Sequence, residues 1–267
     1  MSRKNVQLLA IDVQNDFCSP KGSLFVPGAD QDAKRLAEFV NKMGKKLSDI
    51  HVTLDSHRSV QIFFPSFWID SNNNHPAPFT IISLADVEKG LWRCKNPSWQ
   101  SLALNYVKQL ANNGRYPLCI WPYHTIIGTN GSALVPSFSD AINKWEKDNF
   151  AVIDYVTKGS NIMTENYSIY KADVVDPSDP LTMPNTNLLK VLQEADEVLI
   201  AGEALSHCVA NSVTDICTDF GEENIKKIIL LKDTSSNVTG FENLGNDFVK
   251  NMAKRGMQVT TTTDYLV

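Results

Sequence analysis

Apolar residues fall along this chain in two alternating rhythms. Val6 to Ile11 is a nearly unbroken apolar run, the mark of a strand covered on both faces. Ala33, Leu36, Ala37, Val40 and Met43 then recur at helical spacing and predict an amphipathic helix. Further short runs predict strands over 51–54, 118–121, 151–156, 198–201 and 228–231. Between them, helices are predicted near 100–112, 137–147, 186–194, 208–220 and 241–254. Strands alternating with helices imply right-handed crossovers. They point to an α/β fold in three layers, a mainly parallel six-stranded sheet between helices, as in Rossmann-like proteins. No repeat, low-complexity tract or linker divides the chain, so 1–267 is expected to form a single domain.

One stretch, 58–117, breaks the rhythm. Only 100–112 within it reads as helix, and the rest is rich in aromatics and turn formers: Phe63, Phe64, Pro65, Phe67, Trp68, Pro76 and Pro78. Long excursions of this kind are usually lids or oligomer contacts, so an inserted lid or an exposed aromatic surface for self-association is expected here. An insertion packed down for stability is the plainer alternative.

Composition narrows the class. The 267 residues carry 25 Lys and Arg against 30 Asp and Glu, a formal charge of -5, which offers no electrostatic footprint for nucleic acid or an anionic membrane. The first apolar run is short and followed by Asp12, and no stretch is long enough to span a bilayer. Five cysteines, Cys18, Cys94, Cys119, Cys208 and Cys217, are an odd number without C-x-x-C spacing. That fits a reduced, cytoplasmic setting better than a disulfide framework or a cysteine zinc cage.

Ligands of open parallel sheets bind outside the carboxyl ends of the strands, and those ends are rich in chemistry here. They carry Asp12, Asp55-Ser56-His57, Trp121-Pro122-Tyr123-His124, Lys158, and Gly202 through Cys208. Cys208 opens an amphipathic helix, where the dipole and free N–H groups would lower a thiol pKa. If Asp12 and Lys158 converge on it, the carboxylate could accept the thiol proton and the ammonium could favour both charged partners. Otherwise Cys208 is a small buried apolar residue and the ion pair is structural. Asp55 and His57 stand two apart on extended backbone and so share a side; with His124 they could hold a divalent metal and leave coordination positions open.

Taken together, these segments resemble the isochorismatase-like cysteine hydrolases, and more closely their nicotinamidase branch. Leu9 through Cys18 is similar to the family's opening strand, and Thr53 through His57 to its metal segment. Trp121-Pro122-Tyr123-His124, followed by Gly128-Thr129-Asn130-Gly131, resembles the family's W-P-x-H…G-T-x-G stretch. Lys158-Gly159 with Tyr167-Ser168 resembles the lysine segment, and Gly202 through Val209 the nucleophile loop.

The resemblance implies the isochorismatase-like fold and an amidase that hydrolyses nicotinamide to nicotinate and ammonia through a cysteine thioester. It implies Asp12, Lys158 and Cys208 as the triad, the backbone N–H of Ala204 as an oxyanion donor, and a cis peptide at Glu203–Ala204. Lys158 would keep Cys208 partly ionised. The metal, held by Asp55, His57 and His124, would be zinc first, with iron or manganese admitted by the same donors. Phe17, Trp121, Tyr123, Tyr167 and His207 would wall the substrate ring. Family members commonly form homo-oligomers.

The chain also departs from the pattern. The further histidine usual after D-x-H is missing; Gln61 is the nearest polar residue, and His75 lies in an Asn- and Pro-rich loop. A related cysteine amidase acting on another small carboxamide or carbamoyl compound is therefore the second reading. A vinyl-ether hydrolase, which does not need the metal residues, ranks below it, and a non-catalytic binding or redox-sensing module on the same fold is a third class.

Overall fold

The computed structural model describes residues 3–266. Strands in chain order are β1 (Val6–Ile11), β2 (Asp49–Asp55), β3 (Trp68–Ile69), β4 (Ile81–Ile82), β5 (Arg93–Cys94), β6 (Leu118–Cys119), β7 (Asp154–Lys158), β8 (Glu197–Gly202), β9 (Ile228–Leu231) and β10 (Gln258–Thr260). The α-helices are α1 (Asn15–Cys18), α2 (Ala29–Met43), α3 (Leu84–Glu88), α4 (Gln100–Asn112), α5 (Pro136–Asn149), α6 (Thr186–Glu194), α7 (Ala210–Asp219), α8 (Glu242–Lys254) and α9 (Thr262–Tyr265). Six strands form one parallel sheet in the order β10-β9-β8-β1-β2-β7.

All six residues of β1 are buried, as a central strand covered on both faces requires. It pairs with β2 on one side and β8 on the other. Strand order reverses at the β1–β8 boundary, which opens the crevice where open α/β sheets bind ligands. Gly202 ends β8 at φ +109, and a Cβ there would sit 1.9 Å from the Ile11 carbonyl oxygen. Only glycine therefore lets these two strand ends come so close.

Two strands differ from the sequence expectation. The run over 118–121 does not enter the main sheet: β6 pairs antiparallel with β4 in a separate two-stranded ribbon. The sixth place is taken by β10, a three-residue edge strand whose partial exposure weakens its apolar signal. The expected strand over 151–156 is β7, which starts at Asp154.

Within 58–117, Phe63, Phe64, Phe67 and Trp68 are fully or almost fully buried in the hydrophobic core. These four rings are turned inward, each gaining about 1.5–3 kcal/mol from burial, while Phe79 of the same stretch stays half exposed. No α-helix among the described residues is long and apolar enough to cross a membrane.

Candidate active site

Asp12 follows β1 in the left-handed region at φ 50, a conformation that costs a non-glycine residue of order 1 kcal/mol or more. Hydrogen bonds over-determine it. Its N–H donates to Thr53 Oγ1 at 3.1 Å, and the Thr53 hydroxyl donates back to Asp12 Oδ1 at 2.5 Å. Lys158, the last residue of β7, brings Nζ to 3.0 Å from Asp12 Oδ2 and 2.9 Å from Asp55 Oδ1. It also donates to the Asn166 carbonyl at 2.8 Å and lies 3.6 Å from Cys208 Sγ. One buried ammonium thus faces two carboxylates and the thiol.

Cys208 sits in a π-helical turn, Leu205–Val209, that leads into α7. Burial pushes its thiol well above the ordinary range; Lys158 pulls the other way and is outweighed, while Asp12 and Asp55 add to the rise. This corrects the expectation of a partly ionised cysteine: desolvation dominates over the ammonium and the helix start. A thiol pushed up in this way calls for a base within reach. Burial likewise raises Asp12, opposed chiefly by Lys158, so its carboxylate is a stronger proton acceptor than a solvated one.

Asp55, His57 and His124 converge beside this cluster. All three are buried, and one potential ligand atom from each lies within 4.8 Å of the others. Gln14 fixes Asp55 through both backbone groups, accepting its N–H and donating to its carbonyl, each at 2.8 Å. Segment 121–127 reaches the site through a parallel bridge between His57 and Ile126 rather than through the main sheet. His57 Nδ1 donates to the Gly159 carbonyl at 3.0 Å and His124 Nδ1 to that of Pro122 at 2.7 Å. Both imidazoles therefore turn an Nε2 lone pair inward.

His57 Nε2 is buried without a hydrogen-bond partner and lies 2.8 Å from Asp55 Oδ2. A second ring proton on His57, or a metal ion touching both atoms, would satisfy this pair. The donor set fits a divalent metal.

Gln61 and His75 do not join these donors. Gln61 donates to the carbonyls of Gly159 and Asn161 and accepts the Arg58 N–H, so its amide is committed to backbone. His75 is exposed and bonds the Trp68 carbonyl.

The pocket over Cys208 is lined by Phe17, Trp121, His124, Tyr167, Ala204 and His207, with Leu24, Val26 and Val238 completing its apolar wall. Trp121 Nε1 donates to the Tyr167 hydroxyl at 2.9 Å, and the Trp121 and His207 rings meet edge to face at 5.2 Å. Burial lowers His207 to about 3, so it is neutral. Tyr123 is a correction: it is 44% exposed and packs on Phe64, outside the pocket lining.

Sequence reasoning missed Glu165. It lines the pocket, is buried, and is pushed by that burial up to about 7. Its one signal was position, two residues before Tyr167 in the lysine segment. The Glu203–Ala204 peptide is cis. Ala204 borders the pocket, and its N–H has no hydrogen-bond partner among the described residues. A larger depression bounded by Arg3, Met43, Lys46, Glu197 and Tyr265 lies at the amino ends of the strands, away from all of these groups.

No protein-family model matches the chain. It is 26% identical over 204 residues to the nicotinamidase of Saccharomyces cerevisiae, covering 76% of each chain. Its fold matches the nicotinamidase/pyrazinamidase of Acinetobacter baumanii with a TM-score of 0.66 at 21% identity, over 99% of this chain and 100% of that one. It also matches the pyrazinamidase of Pyrococcus horikoshii in complex with zinc, with a TM-score of 0.56 at 18% identity over 96% and 99%. By sequence the chain is similar to one nicotinamidase, and its α/β fold is that of solved nicotinamidase/pyrazinamidase structures.

Proposed function

We propose that the chain is a metal-assisted cysteine amidase that hydrolyses nicotinamide to nicotinate and ammonia. One observation carries this reading. A thiol, a carboxylate and an ammonium meet beneath an aromatic-walled pocket that Cys208 lines, and Lys158 bridges them to the Asp55–His57–His124 donor set.

A divalent cation held by Asp55, His57 and His124 would supply a Lewis-acid anchor for an azine nitrogen. Zinc is the first candidate, iron and manganese the others. Phe17, Trp121, Tyr167 and His207 confine a flat ring. Asp12 takes the thiol proton as Sγ attacks the carboxamide carbon, and the oxyanion faces the backbone N–H groups of Ala204 and Cys208. Each such donor is worth about 3–4 kcal/mol in the transition state. Protonated Asp12 then gives its proton to the departing ammonia, leaving the acyl group on sulfur. Next it takes a proton from water, whose oxygen attacks the thioester, and returns that proton to the thiolate. Lys158 holds one Asp12 oxygen throughout and balances the charge that alternates between carboxylate and sulfur.

The test is ammonia release from nicotinamide by metal-analysed protein, with Cys208→Ala and chelated enzyme as controls. Release that disappears in both supports the reading. No release from metal-loaded protein whose Cys208 still alkylates would remove nicotinamide as substrate and move the search to other small carboxamides.

A further inference from the structure

A second buried polar cluster lies on the far side of the nucleophile loop, and the reaction above does not use it. Glu203 directly precedes Ala204 and is 1% exposed. Its Oε2 accepts the Ser236 N–H at 3.0 Å, while its Oε1 is buried with no hydrogen-bond donor. Asp32, also buried, projects from α2 and accepts hydrogen bonds from the Ser236 hydroxyl and from Arg35. Ser236 thus joins the two carboxyl groups, Glu203 through its N–H and Asp32 through its hydroxyl.

Two buried anions side by side would repel, with only Arg35 to offset them, and the Arg35 side chain is 43% exposed. A single proton removes the conflict. If Glu203 Oε1 carries it, the acid donates to Asp32, Asp32 accepts from Ser236 Oγ, and Ser236 N–H donates to Glu203 Oε2. The hydrogen bonds then close into a ring and the orphaned oxygen is satisfied.

The ring's place in the fold gives it a use. Ser236 also accepts the Leu205 N–H at 2.8 Å through its own carbonyl. One residue therefore grips the chain on both sides of Ala204, through the side chain before it and the backbone after it. Ser235 adds a hydrogen bond to the Gly202 carbonyl.

We propose that Glu203 is a positioning residue that acts as a neutral acid, sharing one proton with Asp32, and that this shared proton holds the Ala204 N–H in place for the reaction. Burial first and Asp32 second push Glu203 well above the usual carboxyl range, against Ser236 N–H and Arg35. The Cys18 thiol also faces the pair, itself raised by burial and by Glu203, with Asp32, Asp12 and Asp30 adding to the rise. As pH rises, losing the proton opens the ring, loosens the loop and lowers kcat while substrate binding persists.

The kinetic arm of the test rests on the proposed amidase activity; the spectroscopic arm does not. Glu203→Gln keeps a donor toward Asp32 and an acceptor for Ser236 but cannot titrate. Its kcat at neutral pH is expected within about twofold of the parent, with the alkaline fall in kcat moved upward or abolished. Glu203→Ala should lose about tenfold in kcat with KM little changed, the signature of misplaced catalytic groups. In the infrared, parent minus Glu203→Gln at neutral pH should show the carbonyl band of a protonated buried carboxylic acid. Absence of that band overturns the proposal whatever the substrate proves to be. An unchanged alkaline limb in Glu203→Gln overturns it equally, even if Glu203→Ala does not fold.

Discussion

Lys158→Met is the substitution whose consequences follow most directly from the geometry. It removes the ammonium 3.0 Å from Asp12 and 2.9 Å from Asp55 and leaves a side chain of similar length with no charge. Asp55 keeps His57 at 2.8 Å; Asp12, wholly buried, keeps only Thr53 and the thiol. Removing one partner of a buried ion pair typically costs about 3–5 kcal/mol, because the survivor is left charged in a medium that solvates it poorly. Against a total stability of about 5–15 kcal/mol this is a large loss.

The loss has a pH signature. Without Lys158 the folded Asp12 pKa rises further, so the folded variant binds about one proton more than the folded parent. The deficit is largest above the folded variant's Asp12 pKa and shrinks by about 1.4 kcal/mol for each unit of acidification below it, until the folded parent's own Asp12, already raised by burial, protonates. Urea titrations of chelated parent and variant at about pH 8 and about pH 5 read it directly. A deficit that is equal at both pH values would refute the ion-pair account and leave only altered packing. Ammonia release should be abolished in the variant at either pH.

Three further outcomes are expected. In Gly159→Ala the new Cβ would lie 2.7 Å from His57 Cε1 and 2.8 Å from Asp55 Oδ1, at a backbone φ of +85. Metal affinity, read by chelator competition, should fall by about 10- to 100-fold, a larger effect than any loss of ordinary stability at this position. Trp121→Ala removes the ring that meets His207 edge to face and anchors Tyr167; it should raise KM about tenfold with a smaller change in kcat, measured by steady-state kinetics. His207, held neutral down to about 3, contributes stability that is complete above the unfolded imidazole range and is lost as pH falls toward that value. His207→Asn should therefore flatten the acid decline of the unfolding free energy, read from urea titrations, by about 1.4 kcal/mol per pH unit within that window.

Sequence carried the site further than it carried the sheet. Asp12, Asp55, His57, His124, Lys158 and Cys208 stand at segment ends where little but chemistry explains titratable residues in an apolar setting, and the fold brings all six together. Membership of the sheet was less visible. Leu118–Cys119 is as apolar as a central strand because the ribbon it forms with β4 is itself packed against the core. Gln258–Thr260 looks too polar because a sheet edge exposes it. Glu165, Asp32 and Glu203 escaped notice for one shared reason. A buried carboxyl looks like any surface acid until the residues that desolvate it are known, and those come from distant parts of the chain. Tyr123 failed the opposite way: nearness to Trp121 in sequence suggested a shared pocket, but the segment does not run as a regular strand and the ring packs outward on Phe64.

The central place of β1 also shapes the history of each molecule. Its Val6–Ile11 run is sealed on one side by β2, made soon after it, and on the other by Glu197–Gly202, which leaves the ribosome some 140 residues later. At about 5–20 residues per second that interval is on the order of ten seconds or more. Throughout it, a central strand whose six residues all end up buried has one flank unpaired, able to recruit any other extended segment within reach. The nascent chain, more than the finished one, is therefore where this architecture is vulnerable to aggregation, and chaperone binding near the amino terminus would protect it longest.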